Sequence, residues 1–251
     1  MINFFRKIRR KLLSDNKFSK YLIYAIGEIV LVVIGILIAL GINNWNNNRI
    51  TQSESHEFNQ RLLKEFKGNL DLAKLKIEKM EHRINGTREI LELFEQNESD
   101  NNWRSLDSLL FIVLDGVKVE FVTGTLNEGL NTGKVALIDS DLLKGKLYGL
   151  PSNIDYVREW DKTYSDYLSN YLQAFLYKNF NYRKMDNAFS KDNIGTSKFN
   201  TNWNELLLAN EEFENLIDNH YFQSKAQLQF HTNLRNEIAE IKELIEIELK
   251  K

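Results

Sequence analysis

Between Leu22 and Ile42 every position is apolar or small except Tyr24 and Glu28. About 21 such residues cross a hydrocarbon core roughly 30 Å thick at 1.5 Å per residue, so the pattern predicts a transmembrane helix over 21–42. A secretory signal is the competing interpretation, with Ala39 and Gly41 at a spacing suited to cleavage. The stretch exceeds the roughly 7–15 apolar residues of a signal core, which favours an uncleaved anchor. Beyond the span the pattern changes to a 3,4 alternation at Leu63, Phe66, Leu70, Ala73, Ile77, Met80, Ile84, Thr87, Leu91 and Phe94, with Lys, Glu, Asp and Asn largely filling the positions between. That heptad period predicts a helix of about 45 residues, running on from the span or nearly so, with Asn85-Gly86 as its weak point.

Later segments continue the helical reading. "SLDSLLFIVLDG" predicts a short apolar helix stopped by Gly116, and "VKVEFV" a brief extended stretch. Thr125 and Glu128 stand at capping-box spacing before a short helix that Gly133 would end. Helices are expected over 139–148, ending near Pro151, and over 153–180. "NYRKMDNAFSKDNIGTSKFNTN" reads as a long polar loop, followed by helices over 203–218 and 220–250. The fold class is therefore all-α: a single N-terminal transmembrane helix followed by a long-helix antiparallel bundle over 43–251. With one proline and no long flexible linker, that outer part reads as one domain.

Charge sets the orientation. Residues 1–20 carry a net +6 and residues after the span a net −7, a split that the overall −2 conceals. Lys and Arg are retained on the cytoplasmic side, so the N-terminus is expected inside and the C-terminal domain in the periplasm of a bacterial inner membrane. The first 13 residues interleave apolar and basic positions, which suits either an amphipathic helix on an anionic leaflet or an unstructured basic flank. A 20-residue cytoplasmic piece has no room for an effector domain, so any signal would pass through a partner protein.

Within the span, Tyr21, Tyr24, Glu28, Gly35 and Ala39 fall on one narrow helical stripe. Gly35-x-x-x-Ala39 is a small-xxx-small pair, which lets another helix approach closely. Glu28 lies about 6 Å from the middle of the span, where a short carboxylic side chain is neutralised or hydrogen-bonded to a neighbouring helix. The stripe predicts association with another membrane protein or with a second copy of the chain. The alternative is that the bilayer thins locally around Glu28 and the residue has no role.

The segment "FFRKIRRKLLSDNKFSKYLIYAIGEIVLVVIGILIALGINNWNNNR" resembles the N-terminal region shared by a family of uncharacterised single-pass membrane proteins from Bacteroidota, a domain of unknown function. The shared features are the basic start, the "YAIGEI–LVVIGILIAL" span with its glutamate, and the "INNWN" exit. "TGTLNEGLNTGKVALIDSDLLKGKL" is more loosely similar to a downstream pattern of the same family. The resemblance implies a cytoplasmic-membrane protein with a helical periplasmic domain and implies no activity.

Candidate chemistry is sparse. The four histidines form neither Glu-x-x-His nor His-Glu-x-x-His pairs, and the chain has no cysteine, so cysteine–zinc sites and disulfides are excluded. "GTLNEGLNTGK" lacks the strand that precedes a phosphate-binding loop. No catalytic residue, metal site, cofactor or nucleic-acid partner is expected. The most site-like feature outside the span is the aromatic row Tyr156, Trp160, Tyr164, Tyr167, Tyr171 and Phe175, read either as bundle core or as a groove for a ligand or partner. The acidic row Glu237, Glu240, Glu243, Glu246 and Glu248 reads as a solvated face. Two functions fit: a scaffold or accessory subunit of an envelope complex, and a ligand-sensing module that signals through a partner.

Overall fold

The computed structural model describes residues 18–95, 105–116, 118–189 and 201–251, with Lys7, Gly195 and 197–199; of 18–21 and Ala188 only the backbone is described. Eight α-helices follow in order among the described residues: α1 Phe18–Phe94, α2 Leu106–Leu114, α3 Gly124–Thr132, α4 Asp141–Tyr167, α5 Ala174–Asn179, α6 Tyr182–Phe189, α7 Trp203–Leu208 and α8 Glu211–Glu248. A 3-10 turn Lys134–Leu137 follows α3, and a π-helical turn Leu168–Gln173 joins α4 to α5. No strand occurs among the described residues. The chain divides into two compact units, Met1–His56 and Glu57–Lys251.

In the first unit, α1 holds the one helical segment among the described residues long and apolar enough to cross a membrane. Its apolar side chains point outward on all sides, with Ile23 and Leu31 each 69% exposed. Apart from Lys7, the amphipathic expectation for 1–13 lies outside the described residues.

In the second unit the heptad is present but turned. The buried row on α1 runs Leu62, Phe66, Asn69, Ala73, Lys76, Met80, Arg83, Thr87 and Ile90, a strict 4,3 alternation. Of the apolar row of the sequence, Phe66, Ala73, Met80, Ile84 and Thr87 are buried. In the other register the buried row replaces Leu63, Leu70, Ile77 and Leu91, which are half-buried flanks. Helix α8 carries the same period through Phe213, Ile217, His220, Ser224, Gln227, His231, Leu234, Ile238, Ile241 and Ile245. Partners along the two helices run in opposing order: Lys67 pairs with Glu246, Arg83 with Gln227 and Thr87 with His220. On α4 the same order recurs, from Lys146 with Glu240 through Asp161 with His231 to Tyr164 with His220.

Several boundaries differ from those the sequence suggests. Helix α4 runs through Pro151, which lacks the N–H that would bond to Leu147 O. Asn85-Gly86 does not break α1; a Cβ on Gly86 would lie 3.1 Å from Ile112 Cγ2, so the glycine makes room for α2. Part of the expected polar loop is α6, which buries Met185. The final break falls at Ala209–Asn210, where Asn210 Oδ1 accepts from Phe213 N at 3.0 Å and caps α8.

Helix α3 is capped from outside rather than by its own box. Glu65 on α1 accepts from the backbone N–H groups of Thr125 and Leu126 at 2.6 and 3.0 Å. Glu128 instead pairs with Arg61 and Lys134, whose hydrogen bonds hold its carboxyl at about 2. Gly133 ends α3 at φ 77°, a left-handed position that suits glycine. The acidic row of α8 is likewise engaged: Glu248 accepts from Asp139 N at 2.6 Å, and Glu246 lies 3.5 Å from Lys67.

Gly129 carries the tightest contact. A Cβ there would fall 2.3 Å from Phe58 Cζ, inside a ring that is fully buried and cannot swing aside. Gly129→Ala is expected to destabilise the second unit by about 1–3 kcal/mol through overpacking, despite the better helix propensity of alanine. Thermal denaturation followed by circular dichroism checks this; an unchanged or raised midpoint would contradict it.

Candidate functional site

Two apolar clusters fill the second unit. One gathers Phe58, Leu62 and Phe66 with Leu143–Val157 of α4 and Leu234–Ile245 of α8. The other gathers Ile90 with α2, Leu172–Phe180 and Phe213–Ile217. On each of the three long helices a polar block occupies the register between them. It comprises Lys76, Arg83 and Thr87 on α1, Asp161 and Tyr164 on α4, and His220, Ser224, Gln227 and His231 on α8. All but Asp161 are buried.

The block is closely bonded. Lys76 Nζ donates to Asp161 Oδ2 at 2.5 Å, while Asp161 Oδ1 accepts from Gln227 Nε2 at 2.5 Å and from His231 Nε2 at 2.8 Å. Gln227 Oε1 accepts in turn from Arg83 at 2.7 Å, and the guanidinium lies 4.4 Å from the centre of the Tyr164 ring. Burial alone would raise the Asp161 carboxyl, but the His231 and Lys76 donors overcome it and hold the group at about 2. For Arg83, burial lowers the guanidinium from its ordinary value.

A second chain of bonds fixes His220, which is fully buried. Thr87 Oγ1 donates to Arg83 O at 2.9 Å, so its lone pairs face His220 Nδ1 at 3.1 Å, and that nitrogen carries the proton. The other ring nitrogen, Nε2, then accepts from Tyr164 Oη at 2.6 Å. Burial, with the Arg83 charge adding to it, pushes the imidazole down to about 3.

A cavity of about 400 Å³ opens beside this layer, walled by α1, α4, α8 and residues 118–121. The wall is held by Asn69, whose amide donates to Val122 O at 2.7 Å and accepts from Val122 N at 2.8 Å. Of these polar residues only Tyr164 was a candidate in the sequence. Their signal was there: Asn69, Lys76 and Arg83 are seven residues apart, and the polar positions of α8 repeat the 4,3,4 spacing.

The aromatic row is divided among four surroundings, Phe175 lying in the second apolar cluster against Phe213. Trp160 stacks on Phe230 at 4.8 Å and Tyr156 meets the same ring edge-on at 5.5 Å. Tyr164 belongs to the polar layer. Tyr167 and Tyr171 stack at 5.7 Å and line an open groove of about 540 Å³ with Glu211, Glu212 and Asn215. The π-helical turn explains the parting: its wider turn advances the buried register from Tyr171 to Leu172, leaving Tyr171 61% exposed.

In the span, Tyr24 and Glu28 are half-buried and each has an interaction within the chain. Gly35 and Ala39 are exposed, and a Cβ on Gly35 would meet nothing within 4 Å among the described residues. The side chain of Tyr21 is outside the described residues. No cluster of three or more His, Cys, Asp or Glu suited to a metal occurs among the described residues.

Among the described residues, these features define an all-helical protein with one membrane-length apolar helix near its N-terminus and a polar layer inside its second unit. No protein-family model, curated protein or solved structure matches the chain.

Proposed function

We propose that the chain is a membrane-anchored helical scaffold or accessory subunit of a cell-envelope complex, not an enzyme. In this reading the N-terminus is cytoplasmic, residues 21–42 span the bacterial inner membrane, and 43–251 form a periplasmic long-helix antiparallel bundle. The observation that carries it is the contrast between the two units. Apolar side chains are exposed all round the 22–42 segment, whereas the second unit hides its apolar rows. An apolar band of that size is stable only in lipid or against other protein. The opposing order of partners along α1, α4 and α8 supports the antiparallel arrangement. The resemblance of the N-terminal 50 residues to the Bacteroidota family supports the location.

Topology reporters fused after Lys251 test the orientation. A periplasm-active reporter should be active there and a cytoplasm-only reporter silent; the reverse pattern overturns both orientation and location.

The stripe Tyr21, Tyr24, Glu28, Gly35 and Ala39 is where the span would meet a partner helix, a second copy or a different membrane protein. Because the chain has no cysteine, Val32→Cys introduces a unique crosslinking site beside the stripe. Gly35→Leu blocks close approach and Glu28→Leu removes the polar contact; loss of interhelical bonds of about 0.6–2 kcal/mol should lower the crosslink yield several-fold. Unchanged yields in both variants would remove the stripe as an interface.

A second reading, a periplasmic ligand-sensing module that signals through a partner, is favoured by the cavity beside the polar layer. It takes its strength from a mainly preformed space lined by both apolar and charged groups.

A further inference from the structure

The polar layer carries more positive than negative charge where it meets the cavity. Lys76 and Arg83 are 3% and 4% exposed, and both depend on one carboxylate, Asp161, Lys76 directly and Arg83 through Gln227. Buried charges are normally matched one to one. Arg83 Nε is a buried donor with no hydrogen-bond partner among the described residues, whereas buried donors in folded proteins are generally satisfied. At the cavity rim stand Lys118, Arg158 and Lys162 with Glu120, so the lining holds five basic side chains against two acidic ones. The rest of the wall is largely apolar, including Phe121, Val157 and Leu168.

We propose that this cavity binds a small organic anion, a carboxylate on a short apolar body, with Arg83 as the anchoring cation. The planar guanidinium matches a carboxylate edge, and it is already held by the Tyr164 ring and Gln227, so little ordering is left to binding. The volume, about 400 Å³, suits a molecule of that size rather than a bare ion. An inorganic anion would leave the Phe121 and Val157 walls unfilled. This deepens the ligand-sensing reading by naming the ligand class, and it requires binding alone, not signalling.

The test is calorimetric titration of the full chain in detergent micelles with hexanoate and benzoate, their neutral amides hexanamide and benzamide, and inorganic phosphate. The carboxylates should bind saturably and the amides should not, with phosphate at least about tenfold weaker for want of apolar contact. Arg83→Gln should weaken carboxylate binding by about tenfold or more. If that variant loses its helical circular dichroism, the exposed rim pair Lys118→Ala with Lys162→Ala gives the reading instead, with a loss of about two- to fivefold that shrinks in high salt. The assignment fails if neither carboxylate binds, if the amides or phosphate bind as well, or if the substitutions that leave the fold intact leave affinity unchanged. Carboxylate binding that does not alter crosslinking at Val32→Cys would leave the cavity assignment standing and remove the sensing role.

Discussion

Asp161→Ala should cost the second unit about 3–5 kcal/mol, because removing one partner of a buried ion pair strands the other. Lys76 is the stranded group: its side chain is 4% exposed, and Asp161 Oδ2 is the acceptor that its ammonium reaches. The same substitution takes an acceptor from Gln227 and His231. The Asp161 side chain keeps 28% of its surface open, so water screens part of the loss and the lower end of the range is expected. Lys76→Met in the Asp161→Leu background should recover most of the stability, since an apolar pair of similar volume avoids the burial of charge. Denaturant unfolding of the three proteins by circular dichroism measures this; a loss under about 1 kcal/mol in Asp161→Ala would show that the pair is not coupled to the fold. The folded-state value of about 2 lies below the ordinary 3.8. The stabilisation is therefore full above about pH 4 and is lost as pH falls toward 2.

The heptad period of α1 was legible in the sequence, and its phase only in part. Phe66, Ala73, Met80, Ile84 and Thr87 are buried, but the flanking members of the row are not. Leu70 and Ile77 are the more apolar neighbours of Asn69 and Lys76, yet the second pair is buried. Adjacent rows on a helix differ by about 100°, so the choice between them depends on where α4 and α8 lie, which no single helix records. Apolar counting places Lys76 and Arg83 in water because it cannot see that Asp161 and Gln227 arrive from other helices. The repeat of polar residues every seven positions was the available signal. Tyr171 fails for a different reason: its face follows from an unbroken α-helical register, and the turn Leu168–Gln173 adds a residue to that register. Gly133, by contrast, acts through local geometry, and the sequence places the end of α3 correctly.

Acidification from pH 6.5 toward 4 should destabilise the second unit by up to about 1.4 kcal/mol per pH unit on account of His220 alone. The folded-state value, about 3, lies below the ordinary 6.5, first because burial penalises the imidazolium and then because the Arg83 charge opposes it. The unfolded chain therefore binds one more proton than the folded chain between pH 6.5 and 3. Stability must fall as pH falls through that window and level off below it. The hydrogen bonds act in the same direction: protonating Nε2 would turn the acceptor of the Tyr164 hydroxyl into a second donor, while Nδ1–H is already given to Thr87. Asp161 contributes little above pH 4, so the two groups separate along the pH axis. His220→Gln retains a hydrogen-bonding side chain for Tyr164 or Thr87 and removes the titration. Its stability at pH 7 should drop by about 1–3 kcal/mol from imperfect satisfaction of the buried partners. Its slope between pH 6.5 and 4 should be shallower than that of the parent by one proton. Equal slopes in the two proteins would mean that His220 is already reached by water in the folded chain.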